Sequence, residues 1–436
     1  MERGRIKMQS FFRANLPSRI SVLLAGLLLL LLAGNCYKKG GFGNQSFNPL
    51  DRLVYSHRVA YSADSSAYQL QVLFSPVRRD TSGKPVIEAT FSFGLSDSYF
   101  YPASTVKMPV SALALQRLGE LGLSPDTPIS HQAGRVPQTA AQTDTTTQSG
   151  LPTVGQYVRK VFLTSDNDAY NRLYEWLGPS YINTEMRKRG LDSSRIIHRL
   201  GIAGFDTLGN RWLNPISFGS PDSTVLSLPE RYDFFYDSLA VSDQVRGYGY
   251  LDSEEDRIVY EPFDFRFKNY YHIRDMHHTI GRLVIPEAYA PEERFDLSDE
   301  DYRLLWRAMA QRPRESESPI YTEADNWAKF WMYGDRDSSF QIPRNIRILN
   351  KIGLAYGYLT DAAYIVDLQT GLEFLLTASI HVNANGIYND GQYEYEEIGL
   401  PFFSDLGQQV YQYEQDRRSR IELPKDDALI RLLRSL

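Results

Sequence analysis

The sequence predicts an α+β domain, with helices packed on an antiparallel sheet assembled from both ends of the chain. Three observations predict it. Two strand-like runs, Tyr68 to Phe74 and Val86 to Phe93, stand near the start. Helix-like segments fill the middle, and three more strand-like runs, Ile346 to Ile352, Ala362 to Asp367 and Leu372 to Ile380, stand near the end. No internal repeat interrupts this order.

In chain order, the first 35 residues stand apart. Arg3, Arg5, Lys7, Arg13 and Arg19 face only Glu2, and the apolar run of fourteen residues from Ile20 to Ala33 follows. That length is short for a membrane span and right for a signal-peptide core. Cys36 comes next and is the only cysteine, so it forms no internal disulfide. Its place, after Leu32-Ala33-Gly34-Asn35, resembles the lipid-modified cysteine of bacterial lipoproteins, although Asn35 is large for that motif. Residues 1–35 are therefore expected to be a lipoprotein-type signal peptide, rather than a plain secretion signal or a retained anchor. Residues 36–57 read as a tether. The body, expected over 58–420, would face the periplasm from a lipid anchor. Without residues 1–35, which carry five cations and one anion, the formal charge of −6 becomes −10. With no basic block beyond the leader, nucleic acid is not an expected partner.

Tyr68 to Phe74 alternates apolar and polar residues, and Arg78 to Lys84 reads as a turn before the second strand. Thr105 to Leu121 has a helical pattern. Gln132 to Gly150 is a polar loop. Thr153 with Gln156 makes a capping box for a helix through Leu163. Asp166 to Leu177 is expected as a helix ended by Gly178-Pro179. Ile197 to Phe218 is loop-like. Residues 219–270 are aromatic and acidic with no helical period, and read as an insertion of short strands or a surface excursion. Asp275 to Leu283, Ser298 to Ala310 and Ile398 to Tyr413 look helical.

The chemistry is concentrated in Tyr101-Pro-Ala-Ser104-Thr-Val-Lys107-Met-Pro109. Positions three apart on a helix share a face, so the Lys107 amine can sit beside the Ser104 hydroxyl. Pro109 fits a helix's first turn. A serine is a weak nucleophile until a base takes its proton, and a lysine serves when burial lowers its pKa. Taken alone, the pair also reads as a capping serine and a solvated lysine. A second signal is Ser165-Asp166-Asn167 between two helices, which could equally be a helix cap. A third is Lys351-Ile352-Gly353, where glycine admits a ligand to the backbone and lysine attracts a carboxylate. Alone it could be a solvated lysine before a turn.

In this order, S-x-x-K, S-D-N and K-x-G resemble the signature of class A β-lactamases and penicillin-binding proteins. Ser104 and Ser165 lie 61 residues apart, close to class A spacing, and the resemblance extends from about residue 60 to 415. It implies a β-lactamase/transpeptidase-like fold, a five-stranded antiparallel sheet packed with helices. It also implies roles. Ser104 would be acylated, with Lys107 as its base or proton relay. Ser165 would pass a proton to the leaving nitrogen. Asn167 would bind the substrate's amide side chain, and Lys351 its carboxylate. The N–H groups of Ser104 and Leu354, beside Gly353, would form the oxyanion hole. The substrate would be a β-lactam or a cell-wall peptide.

Two departures stand out. Ile352 replaces a hydroxyl residue. In the loop that supplies the deacylating glutamate of class A through E-x-x-L-N, the match is Asn210-Arg-Trp-Leu213-Asn214, and an amide is no base. Asp206 is the nearest acid in that loop. The adjacent His277 and His278 cannot share a helix face and read as surface or half-buried side chains. No H-E-x-x-H or Cys/His cluster exists, so neither a metal nor another cofactor is expected.

Overall fold

The computed structural model describes residues 47–55, 67–220, 222–252, 254–420 and 422–436. The expected signal peptide, Cys36 and most of the expected tether lie outside these residues.

The central sheet is built as the strand-like runs predict. Strand β1 (Gln71–Arg79) is followed by two short strands, β2 (Pro85–Ile87) and β3 (Phe91–Phe93). From the other end come β4 (Ile346–Ala355), β5 (Tyr358–Asp367) and β6 (Leu372–His381). The order is β4-β5-β6-β1, with β2 and β3 both antiparallel to β1 at the far edge. The run Val86 to Phe93 is thus one sheet position occupied by two strands. β3 pairs with Val72 to Phe74 and β2 with Val77 to Arg79, which makes the sheet five positions wide. β1 runs past its predicted end, and the turn starts at Asp80, whose Oδ1 accepts from the Ser82 and Lys84 N–H groups.

Both sheet faces are covered, so β5 is buried throughout. Its residues alternate between two cores. Ala362, Tyr364 and Val366 join one apolar cluster with Leu73, Val77 and the central helices. Leu359, Ala363 and Ile365 join the other with Val72, Phe74 and Phe402. Period-two side-chain alternation does this sorting.

Eight α-helices are described. α1 (Pro49–Tyr55) buries Leu50, Leu53 and Val54, so these residues are packed chain and not spacer. α2 (Lys107–Glu120) follows a 3₁₀ turn over Ala103–Val106. α3 (Val154–Leu163) is capped by Thr153, whose side chain accepts from Gln156 N. The Gln156 amide donates to Thr146 and Ser318, so only half of the expected capping box forms. α4 (Asn167–Lys188) does not end at Gly178-Pro179. Gly178 takes φ 76°, ψ 153°, and a second helical stretch starts at Pro179, with Ser180 N donating to Asp233 Oδ2 at 3.0 Å. Proline suits a first helical position, so the pair breaks the helix and restarts it. α5 (Ile273–Val284) and α6 (Asp299–Ala310) match the helical readings. His277 is a correction: it is buried within α5, bonded to Ser75 Oγ and Thr377 Oγ1. α7 (Leu400–Arg417) closes the sheet, and α8 (Ala428–Ser435) buries Leu429, Ile430 and Leu433 in the larger core, beyond the expected boundary at 420. Among the described residues no helix is long and apolar enough to cross a membrane.

Residues 219–270 form short paired strands, such as Gly249–Asp252 with Arg257–Val259, and expose Phe234, Tyr236, Tyr248 and Tyr260.

Candidate active site

The tight turn before α2 presents Ser104. Pro102 O accepts from both the N–H and the hydroxyl of Thr105. Ala103 takes φ 46°, a left-handed conformation that costs a residue with a Cβ. Ser104 is half-buried, while Lys107, one turn on, is fully buried. Against this turn lies β4, an edge strand of the sheet. A Cβ on Gly353 would stand 2.4 Å from Pro102 O and 3.2 Å from Ala103 Cβ, so only glycine lets strand and turn approach this closely.

The S-D-N triplet approaches from the start of α4. Asp166 is the cap, its Oδ1 accepting from Ala169 N at 2.8 Å. Ser165 does not cap. It takes φ 60° and turns its hydroxyl toward two lysines. Lys107 Nζ reaches Ser165 Oγ at 3.3 Å, Ser165 O at 2.5 Å and Asn167 Oδ1 at 2.7 Å. Lys351 Nζ donates to Ser165 Oγ at 2.8 Å and to Ile352 O at 3.0 Å. Four side chains from three distant segments, Lys107, Ser165, Asn167 and Lys351, thus form one network. Among the described residues no hydrogen bond joins Lys107 Nζ to Ser104 Oγ.

Both lysines are buried without a salt bridge among the described residues. Burial pushes the Lys107 amine down to about 7, against the opposing pull of Asp166. Burial holds Lys351 well below the usual lysine range, and the charge of Lys107 adds to this. An amine that titrates near neutrality can accept a proton at neutral pH, which a solvated lysine cannot.

Above this network lies a cavity of about 350 Å³. Ser104, Asn167 and Leu354 line it, together with Tyr101, Gly201 and Tyr356. Lys107, Ser165, Lys351 and Gly353 sit behind that lining. Among the described residues that line it, none carries a carboxylate.

The two departures look different in three dimensions. The Ile352 side chain packs in the apolar cluster on the far side of the sheet from Lys351 and does not line the cavity. Asn210 is buried, and its amide is fully engaged. Oδ1 accepts from Arg199 N, while Nδ2 donates to Phe205 O and Asp206 O. Asp206 is exposed, with Oδ1 accepting from Gly209 N. Neither residue lines the Ser104 cavity.

Sequence reasoning missed several neighbours. Gly201, at φ 59°, presses on Asn167, and a Cβ there would stand 2.2 Å from Asn167 Nδ2. On the opposite face of β4, Lys329 Nζ donates to Asn350 Oδ1 at 2.8 Å, and Asn350 Nδ2 donates to Asp361 Oδ1 at 2.8 Å. Burial raises Asp361 to about 7. The advance signal was the presence of Asn350 and Asp361 within two largely apolar strands. Among the described residues no group of histidine, cysteine and carboxylates could hold a metal ion.

The chain matches none of the curated proteins. Solved structures that resemble it include a β-lactamase from Sphaerobacter thermophilus DSM 20745, 14% identical over 84% of this chain and 96% of that one, with a TM-score of 0.45. A β-lactamase from Desulfarculus baarsii DSM 2075 is 14% identical over 85% and 98%, with a TM-score of 0.48. PBP-A is 14% identical over 85% and 97%, with a TM-score of 0.46. A model of the β-lactamase enzyme family matches residues 92–413, which span the turn at Ser104, the Ser165 network and strand β4, and the chain belongs to that family.

Proposed function

We propose that this chain is an exported serine hydrolase that forms an acyl-enzyme at Ser104 with a β-lactam or related amide. The observation that carries this reading is the convergence of two buried, charge-depleted lysines on Ser165, beside a cavity lined by Ser104. Neutral Lys107 takes the Ser104 proton as Oγ attacks the carbonyl carbon. The carbon–nitrogen bond then breaks, and Ser165 delivers a proton to the leaving nitrogen and is reprotonated through Lys107. Lys351, buried and absent from the cavity lining, positions the Ser165 hydroxyl through its 2.8 Å hydrogen bond rather than meeting the substrate carboxylate, and the N–H groups of Ser104 and Leu354 hold the oxyanion. Losing such a donor typically costs about 10²–10³ in rate.

The lack of a carboxylate in the cavity lining favours one form of this activity. In this reading Lys107 serves acylation, and no carboxylate in the cavity lining stands ready to activate water for hydrolysis of the acyl-enzyme. We therefore favour slow turnover, as in a penicillin-binding D,D-peptidase or esterase that acts on cell-wall peptides. A non-catalytic envelope lipoprotein that keeps the fold is the alternative. A fluorescent penicillin should label the wild type and leave Ser104→Ala unlabelled. A chromogenic cephalosporin should give a burst followed by a slow phase. Labelling that survives in Ser104→Ala, with the adduct on another tryptic peptide, would overturn the assignment.

A further inference from the structure

A second cavity, of about 580 Å³, shares Tyr101, Gly201 and Tyr356 with the Ser104 cavity. That volume suits a small-molecule arm. Part of its wall comes from residues 235–239 and 266–268, within the segment that the sequence leaves without a function.

Its lining is rich in cations. Arg195, Arg199, Arg211, Arg266 and Lys268 face it, against the carboxylates of Asp206 and Asp237. Several of these charges are already matched. Arg199 pairs with buried Glu175 at 2.9 Å, Arg266 with Asp264, and Asp237 with Arg187. Arg195 is 4% exposed and meets only backbone carbonyls, those of Asp237, Arg266 and Lys268, while its Nε is buried with no partner. Neither Arg211 nor Lys268 forms a salt bridge among the described residues. Burial lowers the pKa of Lys268, the mark of a cation short of a counter-charge. Matching the pairs leaves Arg195, Arg211 and Lys268 against Asp206.

We propose that this cavity holds a carboxylate-bearing arm of the substrate whose scissile carbonyl lies at Ser104, on the side that Asn167 and Gly201 define. The inference rests on the acyl-enzyme reading above. Guanidinium groups bind carboxylates through paired, charge-assisted hydrogen bonds, and a partly enclosed site strengthens them. The segment 219–270 is then a specificity element that selects anionic side chains.

The test uses two penicillins that differ only by a carboxyl group on the acyl side chain. Calorimetry on the full chain carrying Ser104→Ala should give a Kd about tenfold lower for the carboxylated compound. The same preference should be seen in the acylation rates of the wild type. Adding Arg211→Gln with Lys268→Gln should bring the ratio of the two Kd values close to one. Equal Kd values, a preference that survives the double variant, or no binding of either compound would overturn the proposal. Should neither compound acylate Ser104 in the wild type, the acyl-enzyme reading fails, while the two Kd values still decide what the cavity prefers.

Discussion

Lys107 is an amine buried with two uncharged residues, Ser165 and Asn167, as its hydrogen-bond partners. Its neutral form is favoured by burial, which sets two pH dependences of related origin. Acylation of Ser104 should rise as pH climbs through about 7 and level off above it, as Lys107 becomes a competent base. Stability should fall as pH drops from about 10 to about 7. In that window the unfolded chain protonates this lysine and the folded chain does not; below about 7 both states are protonated and the loss is complete. A rate profile with a labelled penicillin, and melting curves of wild type against Lys107→Met, would check both. The melting advantage of Lys107→Met should widen as pH falls across that window. A flat rate profile between pH 6 and 8 would assign the base elsewhere.

The loop over residues 198–214 packs along helix α4, with Asn171 bonded to Leu200 and Tyr174 to Asn210 O, and at Gly201 it presses on Asn167. Gly201 adopts a left-handed conformation, and a methyl group there would overlap Asn167 Nδ2. Asn167 Oδ1 in turn accepts from Lys107. Gly201→Ala should displace the amide, loosen Lys107 and lower the acylation rate by about 10- to 100-fold, at a stability cost of about 1–2 kcal/mol. Gly204→Ala is the matched control. It also has positive φ, but its Cβ would meet Pro137 instead of Asn167. It should lose similar stability and keep most of the acylation rate. Equal rate losses in the two variants would show that backbone strain alone is responsible. The same loop holds Asn210 by three hydrogen bonds, so this asparagine works as a loop brace.

For the molecule as a whole, export and anchoring remain proposals carried by the basic leader, the short apolar run and Cys36. A fatty-acid analogue fed to cells making the chain should label the wild type and not Cys36→Ala. Equal labelling of both would remove the anchor. The body is held at both ends. α1 packs into one core, and Asp427, the cap of α8, binds Arg79 of β1 at 2.7 Å while Arg79 also binds Glu373 of β6 at 2.5 Å.

Much of the site was legible because its chemistry lies in short runs. Ser104 and Lys107 are one helical turn apart, Ser165 precedes a helix that Asp166 caps, and Lys351 and Gly353 lie within one strand whose alternation turns Ile352 the other way. Local periodicity and turn chemistry determine such placements. The tertiary structure alone decided what depends on contacts between distant segments. It made Asn210 a brace, although the linear motif set it in the place of a base. It pressed Gly201 against Asn167, and it folded residues 235–239 and 266–268 into the wall of a cationic cavity. Burial and charge imbalance arise only when segments far apart in sequence exclude water together, and no spacing along a single chain encodes that directly.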